Sequence, residues 1–211
     1  MAEAKEGKEA QEAAGGEAKG VKILGWAGSA RADSFNKKLV RIALRGAEAA
    51  GAEVTYVDLR DYPLPLYDAD SEAAEGLPGN VETLRDLFRD NQGFLTASPE
   101  YNGLLSPLMK NTLDWLSRST EAKPDLSAFQ GKVCALMAAS PGPLGGLRGL
   151  RSVRELMTNL GFLVLPDQMT IRSAFDAFDA EGELLDAGQT QRVEALGAHL
   201  ASTTARLTRS I

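Results

Sequence analysis

Short apolar runs alternate with amphipathic stretches along most of the chain. Five of the runs predict buried strands: VKILGWAGS, EVTYVDL, GFLTAS, KVCALMAAS and FLVLP. The stretches between them place apolar residues at helical spacing. Regular alternation of strand and helix favours a parallel sheet covered by helices on both faces. We therefore predict an α/β fold built on a doubly wound, five-stranded parallel sheet.

The helical stretches differ in the clarity of their pattern. The helix after the fourth strand is predicted to present Leu147, Leu150, Val153, Met157 and Leu160 on its apolar face, and the last helix to present Val193, Leu196, Leu200 and Leu207. The segment YPLPLYDADSEAAEGLP, after the second strand, is rich in Pro and Asp and has no such pattern. We expect this segment to be irregular.

The first 20 residues have a different composition from the rest of the chain. They contain no large apolar side chain after Met1, so they cannot bury enough surface to offset the entropy lost on ordering. We expect residues 1–20 to form a disordered tail and residues 21–211 to form one folded domain. The Ala, Glu and Lys content of the tail would also suit a transient surface helix.

Composition and charge argue against several classes of function. Cys134 is the only cysteine and His199 the only histidine, so no disulfide can form within the chain and a metal site is not expected. The formal net charge of −6 argues against a nucleic-acid partner. No run approaches the roughly 20 apolar residues that span a bilayer, and no targeting segment is evident. We expect a cytoplasmic protein without a membrane partner.

Three loops follow strands at the edge of the sheet where such folds bind their ligands. They are residues 28–35, 98–107 and 140–146, and each comes after the carboxyl end of a predicted strand. The first loop contains glycine, two serines and an arginine, and it leads into a helix whose N-terminus favours anions. This combination suits a phosphate group, with Arg31 as a planar donor. As an alternative, Asp33 or Ser34 simply caps the helix and Arg31 is solvated.

The second and third loops are also open to two interpretations. Residues 99–103, Pro-Glu-Tyr-Asn-Gly, can expose backbone groups to the edge of a flat heterocycle beside an aromatic ring, or they can form a bare turn. The glycines of the third loop, Gly142, Gly145 and Gly146, allow close contact with a planar ligand. The arginines that follow, Arg148, Arg151 and Arg154, form either a solvated edge or a surface that steers an anionic cosubstrate.

The loop motifs together resemble one family. GSARADSFN resembles the G-S-x-R-x-x-S-x-N phosphate loop of the NAD(P)H-dependent FMN reductases, which are flavodoxin-like proteins that include quinone, chromate and azo-dye reductases. PEYNGLLSPLMKNTLDW is similar to the family's P-E-Y-N and K-N-x-x-D-W segments, and SPGPLGGLRGL to its third loop. The similarity covers about residues 21–170, and three motifs in the expected order are more specific than any one of them.

The resemblance implies a cofactor, a site and an assembly. FMN would be bound, NADPH or NADH would be the electron donor, and a small molecule such as a quinone or free flavin would be the acceptor. The implied phosphate ligands are Ser29, Arg31, Ser34 and Asn36, and the implied flavin-ring contacts are Pro99, Glu100, Tyr101, Asn102, Gly103, Ser140 and Gly142. No side chain would act as a catalytic group, because the flavin itself carries hydride chemistry. A homodimer or homotetramer is also implied. Residues 62–78 are rich in Pro, Leu and Tyr, and they form either a subunit contact or an ordinary surface loop.

Two departures from the family pattern and two alternative functions remain at this point. Ser106-Pro107 stands where many relatives have Pro-Gly, and Asp33 adds a negative charge beside the expected phosphate. A flavodoxin that carries single electrons would share the fold, although such proteins usually lack the arginine of the phosphate loop. A binding module without flavin is the third interpretation.

Overall fold

Five parallel strands form the central sheet of the computed structural model, which describes residue 18 and residues 20–119 and 124–208. The strands are β1 (Lys22–Ala27), β2 (Glu53–Val57), β3 (Gly93–Ala97), β4 (Val133–Ala139) and β5 (Leu163–Ile171). Their order across the sheet is β2-β1-β3-β4-β5, with parallel pairing throughout. This is the flavodoxin-like strand order, and the predicted fold class is confirmed.

Helices cover both faces of the sheet. They are α1 (Phe35–Ala49), α2 (Ala69–Glu75), α3 (Gly79–Arg89), α4 (Pro107–Leu116), α5 (Leu147–Asn159), α6 (Ala174–Ala177) and α7 (Ala187–Thr208). One hydrophobic cluster lies under α1 and α7, and a second lies under α3, α4 and α5. Every residue of β3 and β4 is buried, as expected for strands sandwiched between two helical layers.

The apolar stripes of two helices are shorter than predicted. Leu147 begins α5 with 38% of its surface exposed, and Leu207 near the end of α7 is 42% exposed. Both lie in terminal turns of their helices. The remaining apolar residues of each stripe pack as the spacing indicates, with Leu150, Val153 and Met157 fully buried in α5.

The segment after β2 is more ordered than the sequence pattern predicts. It contains the short helix α2, whose N-cap Asp68 accepts hydrogen bonds from the backbone N–H groups of Asp70 and Ser71. None of the residues of α2 is buried, so hydrophobic periodicity gives no signal for it. The preceding turn is held by α4, because Asn111 Nδ2 and Trp115 Nε1 both donate to the carbonyl of Pro65 at 2.8 Å.

Strand β5 extends to Ile171, past the Pro166 at which the predicted strand ends. Its pairing with β4 shifts between Cys134 and Leu136, which lie opposite Val164 and Gln168. Residues 165–167 therefore stand opposite the single residue Ala135, and Pro166 needs no partner in the ladder. Arg154 stabilises the bulge by donating to the carbonyl of Leu165 at 2.8 Å. This contact removes Arg154 from the exposed basic edge considered above.

The remaining general predictions concern the tail and the single cysteine. Residues 1–17 lie outside the described part of the chain, whereas Ala18, which the composition assigns to the tail, is fully buried and accepts a hydrogen bond from Val21 N–H. Cys134 is buried, and burial raises the pKa of its thiol to about 12, so it is not a nucleophile. Among the described residues, no helix is long and apolar enough to cross a bilayer.

Candidate functional site

The structure brings the first and second predicted loops together at the carboxyl edge of the sheet. Gly28 N–H donates to the carbonyl of Ala97, the last residue of β3, at 2.9 Å. The hydroxyl of Ser106 donates to the carbonyl of Gly28 at 2.6 Å and accepts from Met109 N–H at 3.2 Å. Ser106 is therefore both the N-cap of α4 and the link between the two loops. The Ser106-Pro107 departure is a helix start, since Pro107 occupies the first turn, where its missing N–H costs nothing.

The N-terminus of α1 in the first loop is open. Ser34 is its N-cap residue by backbone geometry, yet its side chain makes no capping hydrogen bond. Within the described part of the chain, the backbone N–H groups of Phe35, Asn36 and Lys37 have no acceptor outside the helix. The hydroxyl-bearing residues Ser29 and Ser34 are buried, at 5% and 4% exposure. Unpaired N–H groups and buried hydroxyls at one helix end form an anion site.

The charges around this helix end favour an anion. Arg31 is exposed, and among the described residues its guanidinium makes no hydrogen bond or ion pair, although it is close enough to Asp33 to help to lower the pKa of that carboxyl. Asp33 pairs with Lys38 at 2.6 Å, and the Lys38 ammonium lowers the pKa of the Asp33 carboxyl. The negative charge that the sequence places near the loop is thus already paired, while Arg31 remains available.

The side chain of Asn36 makes its hydrogen bonds to the backbone of strand β4. Its Nδ2 donates to the carbonyl of Ala139 and its Oδ1 accepts from the N–H of the same residue, both at 2.9 Å. This pair of hydrogen bonds ties the first turn of α1 to the end of β4. Asn36 therefore positions the open helix end, and its contact with a phosphate stays a prediction.

Lys37, next to the open helix end, has a role that sequence reasoning missed. Its ammonium is buried at 4% side-chain exposure and forms an ion pair with Asp58, just past β2, at 2.7 Å. The pair fixes the loop after β2 against the first turn of α1. A lysine beside a helix N-terminus gives no sequence signal that distinguishes it from a solvated one, because its partner lies in another loop, 21 residues further along the chain.

The second loop forms a tight hairpin. Tyr101 and Leu104 exchange backbone hydrogen bonds at 3.1 Å in both directions. Asn102 and Gly103, at the turn, have φ values of 53° and 84°, as a type I′ turn requires. Tyr101 is 49% exposed at the base of this turn. The backbone of residues 99–103 is thus rigid, with an aromatic side chain free on its surface.

The third loop is fixed by the end of β5. Ser140 N–H donates to the carbonyl of Ile171 at 3.0 Å, and its hydroxyl accepts from Gly142 N–H at 3.3 Å. Gly146, in the left-handed region with φ of 92°, is the N-cap of α5 and has no side chain to cap it. The carboxylate of Glu100 lies there instead, with Arg148 donating to it at 2.6 Å and Gly149 N–H at 3.0 Å.

These observations define the class of the protein. Three loops follow strands of a flavodoxin-like sheet at its carboxyl edge. The loop after β1 contains Arg31 and leads to the open helix N-terminus, the loop after β3 forms the hairpin, and the loop after β4 is rich in glycine. This donor set fits FMN, whose phosphate suits the helix end and whose flat ring suits the backbone-lined loops. Concave surface by itself does not mark the site, since a concavity of about 420 Å³ lies between α1 and α7 at the opposite end of α1 and contains none of these residues.

Comparison with known proteins gives the family. The family model described as NADPH-dependent FMN reductase matches residues 21–176, and the chain belongs to that family. It is an FMN-dependent oxidoreductase that uses NAD(P)H. It is 35% identical over 167 residues to an NAD(P)H-dependent FMN reductase of Pseudomonas aeruginosa, covering 79% of this chain and 85% of that protein. It is 32% identical over 172 residues to the quinone reductase of Escherichia coli K12, covering 80% and 87%.

Solved structures agree on the fold. The flavoenzyme NAD(P)H:(acceptor) oxidoreductase FerB from Paracoccus denitrificans superposes with a TM-score of 0.71 at 23% identity, covering 88% of this chain and 98% of that one. An archaeal flavodoxin also superposes, with a TM-score of 0.57 at 14% identity, covering 87% and 99%. The flavodoxin-like architecture is thus shared by enzymes and by a flavodoxin, and family membership separates them.

Proposed function

We propose that this protein binds FMN at the carboxyl edge of the sheet and transfers hydride from NADPH or NADH, through the flavin, to a small acceptor such as a quinone or free flavin. The observation that carries the assignment of the site is the open N-terminus of α1 beside the unpaired Arg31. When bound, FMN supplies the two-electron hydride chemistry that no side chain of the site can perform.

In this proposal Ser29, Arg31 and Ser34 hold the phosphate. A helix N-terminus carries a partial positive charge, and the guanidinium adds a full one, so the two together match a dianionic phosphate. The two serines are buried beside the same helix end and would donate their hydroxyl protons. Asn36 holds the helix end in place through Ala139, and we keep it as a positioning member of the phosphate site.

The second and third loops are proposed to bind the ring. Pro99, Tyr101, Asn102 and Gly103 present the rigid backbone of the hairpin, and Ser140 and Gly142 face it from the end of β4. Backbone N–H groups fixed in this way stabilise negative charge that develops on a bound ring without having to reorganise. Exposed Tyr101 offers an aromatic surface beside the ring site.

The compartment and the assembly are further parts of the proposal. A single buried cysteine suits the reducing conditions of the cytoplasm. A homodimer or homotetramer is supported by residues 62–78, where Leu66 is 81% exposed although it is held by an ordered turn. The acceptor is a small molecule, in keeping with quinone reductases among the relatives.

Substitution of Arg31 tests the site. Arg31→Ala should weaken FMN binding by about 1.5–3 kcal/mol, the range for a hydrogen bond to a charged group. The measurement is fluorescence titration of the apoprotein with FMN. Arg60→Ala is the matched control, because Arg60 is exposed at the same edge of the sheet, after β2. Equal FMN affinity of the Arg31→Ala variant and the wild type would place the phosphate elsewhere.

A further inference from the structure

The N-terminus of α5 is capped by a residue from another loop. Its own N-cap is Gly146, and its first turn contains no acidic residue. Glu100 Oε2 accepts a hydrogen bond from Gly149 N–H at 3.0 Å, in the place where an N-cap side chain would accept. Glu100 Oε1 accepts from Arg148 Nε at 2.9 Å and from Arg148 Nη2 at 2.6 Å.

The pair is asymmetric in its exposure. The side chain of Glu100 is 7% exposed, whereas that of Arg148 is 62% exposed and covers the carboxylate from the solvent side. Burial by itself would raise the pKa of Glu100, but the Gly149 N–H and the Arg148 guanidinium outweigh it, and the pKa lies below its ordinary value. The carboxylate is therefore charged at neutral pH and fully engaged with α5.

This geometry joins the second loop to the third. Glu100 stands between Pro99 and the Tyr101 hairpin, and Gly149 lies in the first turn after the third loop. A second contact supports the same junction, since Leu105 N–H donates to Ser152 Oγ at 2.9 Å. The two loops that line the proposed ring site are thus held together by the carboxylate of Glu100.

We propose that Glu100 is a positioning residue, which caps α5 from the hairpin and thereby sets the spacing between the two loops that hold the flavin ring. The inference rests on the proposed function and changes the role that the resemblance gives to this residue. Three hydrogen bonds from α5 engage both carboxylate oxygens, and we therefore assign Glu100 to the positioning of the loops and not to a side-chain contact with the flavin or to proton transfer.

Removal of the carboxylate gives a direct test. Glu100→Ala exposes the Gly149 N–H and the Arg148 guanidinium, and acetate can take the place of the lost group. We expect FMN affinity to fall about tenfold, the equivalent of about 1.4 kcal/mol and within the range of an N-cap. Added acetate should restore the affinity, whereas sodium chloride at the same ionic strength should not. Wild-type protein should not respond to acetate.

Two further variants separate positioning from general stability. Glu100→Gln keeps the shape and one acceptor, so its FMN affinity should fall less and should not respond to acetate. Glu183→Ala removes another carboxylate that is paired with an arginine: it binds Arg45, in the second half of α1, at 2.6 Å. This variant should leave FMN affinity and the absorbance spectrum of bound FMN unchanged. In Glu100→Ala that spectrum should shift, because the ring environment changes.

The outcomes are distinct. An unchanged FMN affinity in Glu100→Ala, or a loss that acetate does not reverse, would overturn the positioning role. A wild-type protein that binds no FMN would instead refute the proposed function. Thermal melting of the apoprotein tests the cap of α5 by Glu100 without FMN. Glu100→Ala should melt at a lower temperature than the wild type, and acetate should reverse this loss.

Discussion

Gly28 is the point at which the first loop meets helix α4 most closely. A Cβ added to Gly28 would lie 2.6 Å from Ser106 Oγ and 2.8 Å from Met109 Cβ. Neither atom can rotate away at no cost, since Ser106 Oγ is hydrogen-bonded to Gly28 and Met109 is fully buried. Gly28→Ala must therefore push the start of α4 away from the end of β1.

The expected cost follows from two effects. Overpacking of a well-packed position costs typically about 1–3 kcal/mol. Weakening of the hydrogen bond from Ser106 to Gly28 adds about 0.5–1.5 kcal/mol. We expect Gly28→Ala to lower the free energy of unfolding by about 2–4 kcal/mol, and to weaken FMN binding because the same shift separates the first loop from the second.

Urea unfolding of the apoprotein measures the effect, and Gly142→Ala is the matched control. Gly142 lies on the same edge of the sheet, and the nearest atom to an added Cβ there is Ser140 Oγ at 3.8 Å. The double variant Gly28→Ala/Ser106→Ala removes the contact between the added Cβ and the Ser106 hydroxyl, but it keeps the contact with Met109. Its loss of stability should therefore be smaller than the sum of the losses in the two single variants. Equal stability of Gly28→Ala and Gly142→Ala would refute the packing argument.

Two further predictions concern the parts of the chain around the site. Asn111→Ala should cost about 1–3 kcal/mol in urea unfolding, because it leaves Tyr67 N–H without its acceptor and removes one of the two donors to the Pro65 carbonyl, while FMN affinity stays unchanged. Removal of residues 2–17 should leave the melting temperature and the FMN content unaltered, whereas removal through residue 19 should lower the melting temperature through the loss of buried Ala18. A lower melting temperature in the shorter deletion would show that the segment packs on the domain.

Much of the fold is predictable because burial dictates it. Strands β3 and β4 are covered on both faces, so they must be continuous apolar runs, and the alternation of such runs with helices specifies a parallel sheet. Helix α2 was not predictable from periodicity, since it buries no residue. Strand β5 continues beyond Pro166 through a bulge that Arg154 holds by its hydrogen bond to the Leu165 carbonyl. This hydrogen bond joins a helix to a strand, so the local sequence pattern does not predict it.

The sequence predicts where the candidate site lies, but it does not show which of the polar groups there bind the protein itself. The loops follow from the rule that ligands lie beyond the carboxyl ends of parallel strands. The roles of Asn36 and Glu100 depend on partners far along the chain. Asn36 binds Ala139, 103 residues away, and Glu100 binds Arg148, 48 residues away. Sequence indicates that such polar groups are present, whereas only the fold shows whether they face a ligand or the protein.

Anaerobic mixing of the FMN-loaded protein with NADPH, and separately with NADH, tests the central claim most directly. We predict that at least one coenzyme bleaches the visible absorbance of the bound flavin, and that a small quinone then restores it. Initial-rate plots at several quinone concentrations should be parallel, because donor and acceptor use the same site in turn. Bound FMN that dithionite bleaches but neither coenzyme does would contradict the account and favour a single-electron carrier.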